Sequence, residues 1–220
     1  MSKKCEEMNG DLTIILVYMN GDLHYTCGGK VDLCMDKPVF KRKIYDEIYE
    51  WKENRSDKYA LLIKGARRVG KSTIAEEFAK KEFKSYILID FAHTSKAIID
   101  LFDDTYDLDF FFLQLQQLMG IRLYEKESVI IFDEVQLFPK ARQAIKYLVA
   151  DGRYKYIETG SLLSIKKNTK DILIPSEEHK ISMFPMDFEE FLWAIGDEVS
   201  AETIRHLIKN KKPAGNAMHR

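Results

Sequence analysis

Apolar positions in this chain switch repeatedly between two periods, and the switches divide it into elements. Phe40, Ile44, Ile48 and Trp51 recur at helical spacing with one face to bury, and Asn54-Arg-Ser-Asp57 ends that pattern. A short apolar run follows over Tyr59–Lys64, and others stand at Lys84–Phe91, Ser128–Phe132 and Arg153–Ser161. Unbroken runs such as Ile87–Ile89 suit strands buried on both faces of a parallel sheet. Helical stretches separate them. Thr73–Lys80 is one. Asp109–Met119 is a second, closed by Gly120. Pro139–Val149 is a third, with proline in its first turn and Asp151-Gly152 at its end. The segment 92–108 is acidic and mixed and predicts no element. Strand, helix and strand at this spacing predict βαβ units, hence an α/β protein.

The pattern continues with a last strand at His179–Phe184 and a helix over Pro185–Ile195. Asp187 and Glu190 are spaced for a capping box there, and Gly196 suits the stop. Ala201–Lys209 is amphipathic and helical, and Asn210–Gly215 reads as a linker. Ile165–Lys170 reads as a basic, solvated loop. Residues 1–37 stand apart. Asn20-Gly21 between Thr13–Met19 and Asp22–Cys27 is a hairpin signal, so this stretch predicts a small appendage, a hairpin or a loosely ordered one. Met35 as the natural start, with the upstream stretch an extension, is the other reading.

Composition narrows the function without choosing it. The chain has 220 residues and a formal net charge of −1, enough for one sizeable core and the start of a second unit. That balance gives no support for a nucleic-acid or membrane-surface role. No apolar run approaches the ~20 residues a membrane span needs. Lys3 and Lys4 lead into Glu6 and Glu7 rather than an apolar segment, so no export signal is expected. Cys5, Cys27 and Cys34 then read as reduced thiols of a cytoplasmic protein. With His24 they invite a zinc reading, but they lack the Cys-x-x-Cys pairs of a structural site.

The chemistry gathers at two strand ends. Gly65-Ala-Arg-Arg-Val-Gly-Lys-Ser72 follows the run at 59–64 and opens the helix beginning near Thr73. A phosphate-binding loop has this spacing and this strand–loop–helix setting. Gly65, Ala66, Val69, Gly70 and Thr73 would supply backbone for an anion cradle at the positive end of the helix. Lys71 would reach the β- and γ-phosphates, and the Ser72 hydroxyl would ligate Mg²⁺. The second strand end carries Asp133-Glu134, at the carboxyl edge where parallel sheets hold ligands. There Asp133 suits a Mg²⁺ contact and Glu134 suits a general base toward the attacking water. Paired Asp-Glu, and the lack of an Asn-Lys-x-Asp guanine motif, favour ATP over GTP. Thr159-Gly-Ser161 ends a further strand, and if that strand neighbours the Asp133-Glu134 one, a hydroxyl there could orient that water.

Gly65–Ser72, Ile130–Gln136, Glu158–Ser161 and Phe184–Phe191 together resemble the prokaryotic AAA+-like ATP-binding proteins, which join an ATPase domain to a large uncharacterised C-terminal region. The resemblance runs from about Val39 onward. It implies a P-loop NTPase core with a parallel sheet in the order 5-1-4-3-2, a sensor at Thr159 or Ser161, and ATP and Mg²⁺ as ligands. The expected organisation is an appendage at 1–37, the ATPase core at 38–196, and the start of a helical lid or C-terminal region at 197–220, cut short. A homo-oligomer or a partner protein is the implied company. No residue matches an arginine finger; Arg142 and Arg153 are weak candidates that read better as salt-bridge residues, and Arg67 and Arg68 read as surface or partner-facing. Three functions remain open: an ATPase, a nucleotide-dependent switch with negligible turnover, and a small-molecule phosphotransferase. The last is disfavoured by the lack of an arginine-rich lid.

Overall fold

The computed structural model describes residues 40–103, 105, 107–161 and 176–213, together with the backbone of three strands nearer the N-terminus. The chain falls into two units, Met1–Val39 and Phe40–Arg220. In the first, β1 (Ile14–Met19), β2 (Asp22–Cys27) and β3 (Lys30–Asp32) form an antiparallel sheet in that order. Met19 pairs with Asp22 at the closed end of the first hairpin. The thiol and zinc readings, the basic loop at 165–170 and the chain end from residue 214 lie outside the described residues.

The second unit is built on five parallel strands. They are β4 (Ala60–Gly65), β5 (Ser85–Asp90), β6 (Ser128–Asp133), β7 (Lys155–Ser161) and β8 (Glu178–Met183). Their order across the sheet is β5-β6-β7-β4-β8. Read from the β8 edge and counted within this unit, that is the 5-1-4-3-2 order the resemblance implies. Every residue of β6 and β7 is buried, as expected for strands covered on both sides.

Side chains alternate between two cores. Leu61, Ile63, Val129, Ile131, Ile157 and Ile181 face α1 (Ile44–Asn54) and α2 (Lys71–Glu82). Ala60, Leu62, Ile87, Ile130, Phe132 and Tyr156 face the other core, with residues of α3 (Lys96–Leu101), α4 (Leu108–Met119) and α5 (Pro139–Asp151). The chirality of crossovers explains the division. From β4 the chain crosses to the far edge, and every later connection steps back the other way. Right-handed connections running in opposite directions put their helices on opposite faces. The strand register brings the carboxyl ends level, with Asp90 opposite Asp133 and Gly65 opposite both Ser161 and Met183.

Local sequence closes most helices as expected. Asp107 caps α4 by accepting from the Phe110 N–H at 3.0 Å. Gly120 and Gly152 end α4 and α5 in the left-handed region. The Asp187–Glu190 capping box forms at the start of α6 (Phe188–Ala194), and α7 (Glu198–Lys209) follows. Several boundaries shift from the sequence pattern: α2 begins at Lys71 rather than Thr73, α6 at Phe188 rather than Pro185, and α7 at Glu198 rather than Ala201. The first helix begins at Ile44 rather than Phe40, because Lys41 and Arg42 are drawn into contacts outside any helix. The stretch 92–108 contains α3, whose six residues are too few to show a period.

Candidate functional site

The loop between β4 and α2 is shaped by two glycines with different reasons to be glycine. Gly70 has φ of +95°, a region in which side chains are strained. A Cβ on Gly65 would stand 2.3 Å from the Met183 carbonyl oxygen, so glycine there lets β8 approach. Helix α2 begins at Lys71, directly after Gly70, and directs its first backbone N–H groups and its positive dipole end at the loop. Ala66 is exposed, while Val69, Ser72 and Thr73 are partly buried.

Lys71 is 4% exposed, and its Nζ donates to the Ala66 carbonyl oxygen at 2.8 Å. Burial pulls its pKa below the usual lysine value. The carboxylates of Glu134 and Asp133 oppose that shift, and Arg67 adds to it. The ammonium therefore lies within the field of the Asp-Glu pair although the two stand more than 60 residues apart in the chain.

A hydroxyl-and-carboxylate network joins three of the strand ends. The Ser72 hydroxyl donates to Asp133 Oδ1 at 2.7 Å. The Thr159 hydroxyl donates to the same oxygen and accepts from the Glu134 N–H at 3.3 Å. Thr159 is fully buried, and its hydroxyl meets the Asp-Glu turn rather than the cavity. Glu134 adopts left-handed φ and ψ of 53° and 43°, a strained state for a residue with a side chain, and one that recurs at functional sites. Its carboxylate accepts from Gln136 Nε2, and Gln136 Oε1 accepts from the Ser161 N–H at 3.3 Å.

A cavity of about 690 Å³ opens beside this network, lined by Arg67, Arg68, Asp90, His93, Asp133 and Glu134 among others. Arg67 and Arg68 are exposed, and they also form this wall. His93 Nδ1 lies 2.7 Å from Asp90 Oδ2. The structure thus brings together Lys71, Ser72, Asp133, Glu134 and Thr159, all singled out from sequence. Gln136 stood inside a quoted motif without a role, and its spacing two residues after Glu134 is the signal that could have assigned one. Asp90 and His93 gave no comparable signal, because only the β5–β6 register carries them to Asp133. Arg142 and Arg153 are ion-paired, the first with Glu178 and the second with Asp151 and Asp109.

Ser72 and Asp133 offer Mg²⁺ a hydroxyl and a carboxylate oxygen that already converge, a donor set that suits this hard cation. The sheet, the loop and this oxygen pair are those of a P-loop nucleotide-binding module. The chain belongs to the AAA domain family, which matches residues 57–192. Among solved structures, a closed-state cryo-EM reconstruction of Hsp104 with ATPγS and FITC casein is similar at 15% identity and a TM-score of 0.47. The match covers 75% of this chain and 29% of that one. No curated protein matches the chain. No helix among the described residues is long and apolar enough to cross a membrane.

Proposed function

We propose that this protein binds ATP with Mg²⁺ across the Gly65–Ser72 loop and hydrolyses it. The observation that carries the reading is the convergence of Ser72, Thr159 and Glu134 on the Asp133 turn. It ties the phosphate loop to the strand end bearing a base.

Each residue has a task in this scheme. Backbone N–H groups from Gly65 to Thr73 cradle the phosphates, and Lys71 neutralises charge on the β- and γ-groups. Ser72 and Asp133 hold Mg²⁺, which when bound would draw charge from the phosphate oxygens. Glu134 accepts the proton of the water that attacks the γ-phosphate. Thr159 keeps the carboxylate of Asp133 and the backbone of Glu134 in register. Helix α7 serves as a lid element, and the cycle acts on a second copy or a partner protein.

One observation favours a second reading, a nucleotide-dependent switch with little turnover. Gln136 holds the Glu134 carboxylate through a hydrogen bond, and that bond competes with a water for the same oxygen. Calorimetric titration of Mg·ATP into wild type and Lys71→Ala tests the binding step shared by both readings. Wild type should bind, and Lys71→Ala should lose at least ~10- to 100-fold in affinity, the range for hydrogen bonds to charged groups. Equal affinity in the two proteins would remove Lys71 from the site.

A further inference from the structure

Arg42 lies outside any helix, two residues before α1, and is 9% exposed. Its guanidinium touches three residues, one in the phosphate loop and two just beyond β8. Nη1 donates to the Val69 carbonyl oxygen at 3.0 Å, inside the phosphate loop. Nη2 donates to the Phe184 carbonyl oxygen at 2.7 Å, one residue beyond β8. Nε stands 3.2 Å from Glu190 Oε1, an ion pair without the alignment of a hydrogen bond.

One of these partners, Glu190, is held by further hydrogen bonds. Glu190 is itself 6% exposed. Its Oε1 accepts from the Lys43 N–H at 2.8 Å, and its Oε2 accepts from the Asp187 N–H at 3.1 Å, within the capping box of α6. The Val69–Gly70 peptide is trans, as are all described peptides. A trans peptide points its carbonyl and its N–H in opposite directions. With the Val69 oxygen held by Arg42, the Gly70 N–H is aimed away from Arg42. The cationic donor also polarises that peptide and makes the Gly70 N–H a stronger donor to an anion. A planar fork that spans two carbonyls is a task for arginine and not for lysine.

We infer that Arg42 is a positioning residue. It fixes the Val69–Gly70 peptide for binding a polyphosphate, and it couples occupancy of the loop to helix α6. The inference rests on the proposed ATP site. An anion that pulls on the Gly70 N–H shifts the Val69 carbonyl, and the guanidinium passes that shift to Phe184 and Glu190. The same chain of contacts runs in reverse, so a partner that moves α6 changes affinity at the loop.

The test is hydrogen exchange with and without Mg·ATP, read at peptides covering 65–72 and 185–195, with calorimetric affinities on the same samples. In wild type, Mg·ATP should slow exchange at both. Arg42→Lys should bind Mg·ATP about 5- to 20-fold more weakly, within the usual span of coupling between sites. At saturation it should still show protection at 65–72 but lose the response at 185–195. A merely structural arginine would lower the melting temperature and leave affinity and both responses intact, and that result would overturn the inference. If Arg42→Lys does not fold, the wild-type data decide: protection at 65–72 with no change at 185–195 refutes the coupling. Lack of any Mg·ATP binding by folded wild type refutes the nucleotide site itself, and the inference falls with it.

Discussion

Thr159 and Glu158 are neighbours on β7, both fully buried, and they point to opposite faces of the sheet. On the α2 side, the Thr159 hydroxyl joins a network that reaches the cavity at Asp133 and Glu134. On the α5 side, Glu158 lies among Glu178, Arg142 and Lys180. Arg142 forms two hydrogen bonds to Glu178, through Nε at 2.6 Å and Nη2 at 2.7 Å, and Lys180 Nζ lies 3.3 Å from Glu178. Neither oxygen of Glu158 accepts a hydrogen bond. Burial, and then the adjacent Glu178 carboxylate, push its pKa well above the ordinary glutamate value, which favours the protonated form, one able to donate to Glu178. A buried polar residue is therefore not by itself a mark of function. The difference lies in where each network ends: one at a cavity with converging donors, the other inside a packed helix–sheet interface.

The sharpest way to break this comparison is Arg142→Ala. It would leave Glu178 and Glu158 facing each other with Lys180 as the remaining cation. Removal of one partner from a buried ion pair costs about 3–5 kcal/mol. Urea unfolding should show a loss of that order, while the folded variant keeps its affinity for Mg·ATP. A loss of affinity matching that of Lys71→Ala would erase the distinction between the two faces.

A smaller effect is expected from Glu158→Gln, seen in the pH dependence of stability. Because the folded pKa is raised, the folded state holds a proton that the unfolded chain gives up. The contribution of Glu158 is full below the ordinary glutamate pKa of 4.5 and is lost as pH rises through its raised value. The glutamine variant lacks that decline. Its urea midpoint should fall less than that of wild type between acidic and neutral pH. Parallel curves would mean that Glu158 is ionised in the fold.

The sequence made the α2 face legible because its parts are local patterns. Gly65–Ser72 and Asp133-Glu134 each lie on one turn, and each carries its chemistry in adjacent residues. The α5 face was much less so. Arg142 read as a salt-bridge residue, but its partner sits on the edge strand 36 residues away. Glu158 stood inside a quoted motif, and nothing in its neighbours told which face it would take. Arg42 was opaque for the same reason: its partners lie 27 and 142 residues distant. The position of Thr159 was legible, whereas the direction of its hydroxyl depended on the β6–β7 register, which also aligns Phe132 with Glu158.

The central claim is that the Asp133-Glu134 turn makes the loop a site of hydrolysis, not only of binding. Single-turnover phosphate release from Mg·ATP, with protein in excess over nucleotide, tests it in wild type and Glu134→Gln. Wild type should release phosphate. Glu134→Gln should bind Mg·ATP with comparable affinity and turn over about 10²- to 10⁴-fold more slowly, the usual contribution of a general base. Phosphate release at the wild-type rate from Glu134→Gln, or none from a wild type that binds Mg·ATP tightly, would contradict the claim.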